Sequence, residues 1–428
     1  MAAAAARRRL GGEASRARLA AAAAAGGGGG GGELDRLDGV APKSPAGEML
    51  AYIRESEPHL FETTVEQTLE RLVDAADEDG QAAAGAGDAG EAAGAAAGES
   101  LSLYRRMADV KRAERSRAVS DVLYQSVLYK FDTLGSPLLT RAQLELAPGL
   151  EGGSLSALTQ GVHSTEALDM VRTHLMGILG PNMPQSEYGM QTTAVRISKL
   201  QAAQVYAASV MFGYFLRRVD KRFQMEKQFG TFKKSTDATV AMLEELFRKS
   251  ADSTDDPDVG ATKEDGGAAA AEGGADAQSQ AESADGAPSL AEYVEGFDRQ
   301  TLVETAQMVS IEGVNLLQEY TASLFGSVQE LQTEMQEVME GGDFDSPEAM
   351  MERMQEAIAN EEVQAMTFTF SDQRRVILEA VAFGSFLRDS EAYVELEAAE
   401  LLTPTPRAPG GPGGPGGPGG SLPPPSMA

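Results

Sequence analysis

The sequence predicts an all-α fold: a helical bundle built from a duplicated helix pair plus N-terminal helices, with long disordered acidic linkers. Three observations carry this reading. Apolar residues recur at helical spacing through several separate stretches. The window Ala202–Leu216 holds only Gln204 and Ser209 as polar residues, so its helix is apolar all round and belongs at the centre of a bundle. The hexapeptide Phe212-Gly213-Tyr214-Phe215-Leu216-Arg217 returns as Phe383-Gly384-Ser385-Phe386-Leu387-Arg388. Each copy follows a helix that closes on a bulky residue and glycine, Leu179-Gly180 and Phe325-Gly326.

Residues 1–43 read as a transit peptide and flexible linker. The first 25 residues carry five arginines against Glu13 in an Ala-rich context, the balance of an organellar leader. The folded region 44–249 opens with two helices divided by Pro58. Residues 76–100 are an Ala/Gly/acid insertion expected to be disordered. Leu101–Phe131 reads as one amphipathic helix, with Leu103, Met107, Val110, Val122, Leu123, Val127 and Phe131 near one face. Ser164 caps a helix that stops at Gly180-Pro181. The most apolar helix is expected from about Val195 to Gly230. Residues 250–288 form a disordered acidic linker. In the second repeat, 289–402, Ser289 opens a capping box and periodicity runs to Phe325. An amphipathic Met/Glu/Gln-rich insertion, 327–362, follows, and the last core helix lies near Ser371–Leu396. The Gly/Pro tail 403–428 is expected to be disordered.

The formal net charge is −29, but it is unevenly spread. Asp252–Asp298 holds thirteen acids against Lys263 alone, and Glu330–Glu362 holds eleven against Arg353. Residues 101–250 carry 20 Lys/Arg against 14 Asp/Glu, so an acidic whole hides a mildly basic folded part. The balance disfavours nucleic acid as a general partner. There is no Cys, which excludes disulfides, thiolate metal sites and a cysteine nucleophile. No apolar run reaches the roughly 20 residues that span a bilayer.

The segment Ile197–Lys227 closely resembles the signature of the UV-B-induced chloroplast proteins of plants and algae, defined by a domain of unknown function, number 760. Ser44–Leu72, Tyr104–Arg115 and Arg374–Leu387 are similar to the same family, in the same order. The resemblance implies a plastid location and a link to light or stress. It implies no activity.

No catalytic spacing is present: no H-E-x-x-H, G-x-S-x-G or phosphate-binding loop, and no Glu-x-x-His pair of the di-iron type. The expectation is a non-enzyme without cofactor or metal. His174 lies between Val171 and Leu175 and reads either as a packed residue or as an imidazole ligand. Glu379 interrupts the apolar run Val376–Leu387, so it is either a helix-edge residue paired with a base such as Arg375 or a buried carboxyl of raised pKa. Gly213 and Gly384 suggest close helix crossing, with room for a ligand as the sharper alternative. Phe212, Phe215, Phe383 and Phe386 are expected in the core. Two basic stretches are candidate interaction surfaces: Arg105, Arg106, Lys111 and Arg112, then Arg217, Arg218, Lys221 and Arg222. Interleaved acids equally fit a solvated helix face.

The reading that follows is a non-catalytic helical protein of the plastid stroma, acting through protein partners. A small apolar ligand or pigment in the bundle is one alternative. An RNA- or membrane-surface-associated factor is another. Mitochondrion is the alternative location, and the oligomeric state stays open. Residues 1–60 fused to a fluorescent reporter are expected to enter plastids of a green cell. A cytosolic or mitochondrial pattern by microscopy would contradict that location.

Overall fold

The computed structural model describes residues 40–90, 96–145, 154–180, 184, 186–229, 288–340 and 347–406. Most of the leader, the linker 250–287, and the tail beyond 406 lie outside the described residues.

Ser44 opens α1 (Pro45–Ser56), and a single 3-10 turn at Pro58–Leu60 separates it from α2 (Phe61–Gly90). Pro58 breaks the chain as its missing N–H requires. Helix α2 continues to Gly90 and α3 (Ala96–Leu134) begins at Ala96. Described helix covers 76–90 and 96–100 of the 76–100 insertion. The alanines explain it, since Ala has the highest helix propensity of any residue. Only the second half of α3 is core, from Ala118 to Phe131. Met107 and Val110, expected on its buried face, are 48% and 57% exposed.

Short helices α4 (Arg141–Glu145) and α5 (Leu155–Gln160) lead to α6 (Thr165–Leu179). After α7 (Glu187–Thr192) comes strand β1 (Ala194–Ser198), then α8 (Lys199–Phe229). The second half of the chain gives α9 (Leu290–Glu295), α10 (Arg299–Ala306) and α11 (Ile311–Phe325). Caps at Asp298 and Ser310 divide what periodicity alone joins into one helix. The Met/Glu-rich insertion forms α12 (Val328–Met339) and α13 (Pro347–Ala359). Strand β2 (Ala365–Thr369) and α14 (Phe370–Ala398) complete the second copy. Thr403 and Thr405 pair with the segment before α11, so the start of the expected tail is tied down.

The two copies are related by an approximate two-fold axis. Strands β1 and β2 are antiparallel and centred on Arg196 opposite Thr367. These residues are 171 apart, the spacing that also relates Gly213 to Gly384. Helices α6 and α11 end alike, on Gly180 at φ +78° and Gly326 at φ +101°, where a side chain would strain the backbone. Helix α8 packs chiefly on α14, while α3 packs on α14, α11 packs on α8, and α3 and α11 pack on each other.

The crossing of α8 and α14 has no room for side chains. A Cβ on Gly213 would fall inside the Val381 carbonyl, and one on Gly384 would fall inside the Val210 carbonyl. Val210 and Val381 are themselves equivalent, so the contact is reciprocal. Around it Tyr206, Val210, Tyr214, Leu216, Val381, Phe383 and Leu387 are wholly buried. Phe386 is buried against Phe131. Phe212 and Phe215 are only half-buried, against the expectation, and Tyr214 takes the inward position.

Gly213→Ala and Gly384→Ala are each expected to lower stability by about 1–3 kcal/mol or more through overpacking. Gly177→Ala, in α6 with open space at its Cβ, is expected to raise it by about 0.5–1 kcal/mol. Equilibrium urea unfolding checks the contrast. A neutral Gly213→Ala would mean that the helices stand farther apart.

Candidate functional site

The sequence leaves three kinds of candidate: a carboxyl in an apolar run, two basic stretches and the space around two glycines. The structure treats them differently.

Glu379 sits in the middle of α14, where the surrounding apolar residues direct it inward, and it is 1% exposed. Both carboxyl oxygens accept from the Leu139 N–H, each at 3.1 Å. The Tyr320 hydroxyl donates to the Leu139 carbonyl at 3.1 Å. Tyr124, Tyr206 and Tyr320 are all buried, and Tyr320 stacks on Phe383 with centroids 4.8 Å apart. Burial pushes the Glu379 pKa up to about 8, while the Leu139 N–H and the Arg375 charge pull the other way. The same burial raises the Tyr124 hydroxyl to about 12 and pushes those of Tyr206 and Tyr320 well above the usual phenol range. Glu379 is therefore a mostly protonated acid at neutral pH that fastens the chain after α3 to the centre of α14.

A second set of carboxyls holds helix starts. Ser44, Ser164 and Ser310 cap α1, α6 and α11, each accepting from a backbone N–H three residues on. Each serine hydroxyl in turn donates to a buried acid on a long helix. Ser44 reaches Asp121 at 2.6 Å, Ser164 reaches Asp220 at 2.7 Å, and Ser310 reaches Glu391. Asp220 and Glu391 are equivalent in the two copies. Glu391 also accepts from the Tyr214 hydroxyl, and burial raises its pKa. A Cβ at Gly47 or Gly313 would collide with Asp121 or Glu391. The small residue three past each serine is the signal that could have located these pairs.

The basic stretch on α8 is engaged within the protein. Arg217 makes a fork to Asp389 at 2.8–3.1 Å, and Lys221 joins it at 2.6 Å. Burial opposes the Asp389 charge, but Arg217, Lys130 and Lys221 together hold its pKa below the usual range. Arg218 donates to the carbonyls of Glu304, Thr305 and Gln307 at the end of α10. Arg222 pairs with Glu226 and lies over Phe297. These partners are remote in sequence, apart from Glu226, and so were invisible to spacing.

The stretch on α3 is more open. Arg106 is exposed and Arg112 is paired only loosely with Asp109, at 3.4 Å. Lys111 and Arg115 bridge to Asp79 on α2. The Arg105 side chain lies outside the described residues. His174 is a packed residue: its ring stacks on Phe212 at 4.1 Å and its Nε2 meets the Ser209 hydroxyl at 3.1 Å. Burial lowers its pKa.

No space remains beside Gly213 or Gly384. The apolar opening lies instead between the β1–β2 ribbon and the first turns of α8 and α14. It is a groove of ≈220 Å³ reached by Ile197, Phe368, Val205 and Val376. Among the described residues no three His, Asp or Glu side chains are grouped to hold a metal ion. No described helix is long and apolar enough to cross a membrane.

The family described as a protein of unknown function (DUF760) matches residues 102–229, which run from α3 to the end of α8. A UV-B-induced chloroplastic protein of Arabidopsis thaliana is 32% identical over 384 residues, covering 84% of this chain and 79% of its own length. The chain belongs to this family of proteins of unknown function. No solved structure matches it. The Arabidopsis relative is chloroplastic, the location that the Arg/Ala-rich leader and the resemblance lead one to expect. The family name carries no enzymatic activity.

Glu379 gives a signed pH test. Its folded-state pKa stands above the ordinary value of 4.5. The stability it contributes is thus fully present below about 4.5 and is lost as pH rises through about 8. Glu379→Gln keeps a neutral group of the same shape. It is expected to melt with the wild type near pH 4.5 and above it at pH 8, read by circular dichroism. Identical melting across that range would mean the carboxyl is already ionised in the fold.

Proposed function

We propose that the protein is a non-catalytic interaction or regulatory factor of the plastid stroma, linked to light, UV or stress. The observation that carries this is the exposed half of α3. Met107 and Val110 are one helical turn apart and about half exposed. Arg106 and Arg112 flank them, both exposed. An apolar centre with a charged rim is the composition of a protein-binding surface, and its charge favours an acidic partner. The second basic stretch is tied to the protein's own acids and carbonyls. That supports a protein partner over RNA or an anionic membrane, which would need several cations free at once.

A photo-crosslinking residue at position 110 of the full chain in plastids is expected to capture a discrete protein. Arg106→Glu with Arg112→Glu is expected to remove that product. A probe at position 188, also exposed, serves as the control. Crosslinks to RNA or lipid alone, or equal products from both positions, would overturn the reading.

A further inference from the structure

The groove beneath the ribbon stands on the approximate two-fold axis. Its walls come as equivalent residues from the two copies: Ile197 with Phe368, Ala202 with Gln373, and Val205 with Val376. The ends of α6 and α11 close it through Leu179 and Phe325. Alternation along β1 turns Val195 and Ile197 toward it and leaves Arg196 on the opposite face.

Size and chemistry narrow the occupant. An apolar cavity of about 150 Å³ holds benzene, and pockets for drug-sized ligands begin near 300 Å³. At ≈220 Å³ the groove suits one or two fused rings and is too small to enclose a tetrapyrrole or a diacyl lipid. No charged side chain lines it, and its polar groups include two neutral carboxamides, Gln201 and Gln373. A charged head would lose hydration there without a counter-charge. A carboxamide both donates and accepts, so one hydroxyl or carbonyl on the ligand is matched.

We propose that this groove binds a small uncharged molecule of one or two rings with a single hydrogen-bonding group, held between the two copies. The site is separate from the α3 surface, and either reading can fail alone.

The test uses 2-naphthol, with 2-naphthoate as its charged counterpart. The chain has no Trp, so naphthol emission is read against tyrosine alone. Full-length protein is expected to saturate with one naphthol, by fluorescence and by equilibrium dialysis. Naphthoate is expected to bind at least about tenfold more weakly, because its charge is unpaired in the groove. Val205→Phe fills the space and is expected to abolish binding while the far-ultraviolet circular dichroism is retained. Gln373→Leu, at a half-buried position that leaves the helix intact, is expected to weaken naphthol several-fold, about one hydrogen bond, while naphthalene still binds. Uptake that does not saturate, that persists in Val205→Phe, or that is equal for naphthoate overturns the proposal. Crosslinking of a protein from position 201, with no naphthol binding, also overturns it by giving the groove to a protein.

Discussion

The structure depends on one contact, the backbone-to-backbone crossing of α8 and α14. Two glycines each face the carbonyl of a valine on the opposite helix. A glycine inside a helix costs about 1 kcal/mol relative to alanine, so the approach must return at least that through packing on both sides. It does so by letting Tyr206, Tyr214, Phe383 and Leu387 be wholly buried around the crossing. The approach also fixes how far the remaining helices can stand from the axis. A central pair this tight leaves open space only beyond the crossing, where the ribbon holds β1 and β2 above the first turns of the helices.

Such an interior would ordinarily be hydrocarbon, yet it holds several acids. They divide into two classes by their donors. Asp121, Asp220 and Glu391 receive hydroxyls from serines that cap other helices, and so couple the start of one helix to the flank of another. Glu379 receives a single backbone N–H, and burial outweighs the pull of that N–H and of the Arg375 charge, so its pKa is raised. The first class aligns elements. The second ties a connecting segment to the core at a cost that grows with pH.

Much of this architecture could be read from the sequence, because it rests on local rules. The caps at Ser164 and Ser289, the stops at Gly180 and Gly326 and the duplicated hexapeptide are all visible in short windows. The ribbon is not legible in the sequence, since Val195-Arg196-Ile197 is too short for alternation to compete with the helix that follows. The repeated motif points Phe215 to the core. The packing of α8 instead buries Tyr214, which no one-dimensional pattern encodes. Charge pairing was the least accessible feature. Asp389 lies 172 residues from Arg217, and spacing rules see only neighbours. Glu379 stood out as a lone acid in an apolar run, but its partner, the N–H of Leu139, is a backbone group that sequence does not advertise.

The central pairing of Arg196 with Thr367 gives the chain the geometry of an isologous dimer whose two subunits share one polypeptide. A half cut from the whole would expose an unpaired strand edge and a helix whose glycine face has lost its complement. Neither half is a self-sufficient folding unit in that sense, and the connection between them does not create their interface. It raises the effective concentration at which two self-complementary surfaces meet. Fusion also releases the two halves from identity. Ala202 and Gln373 occupy equivalent places with different chemistry, and the acidic hairpin of α12 and α13 belongs to one half alone. A symmetric homodimer could not make that distinction, because any change would appear twice.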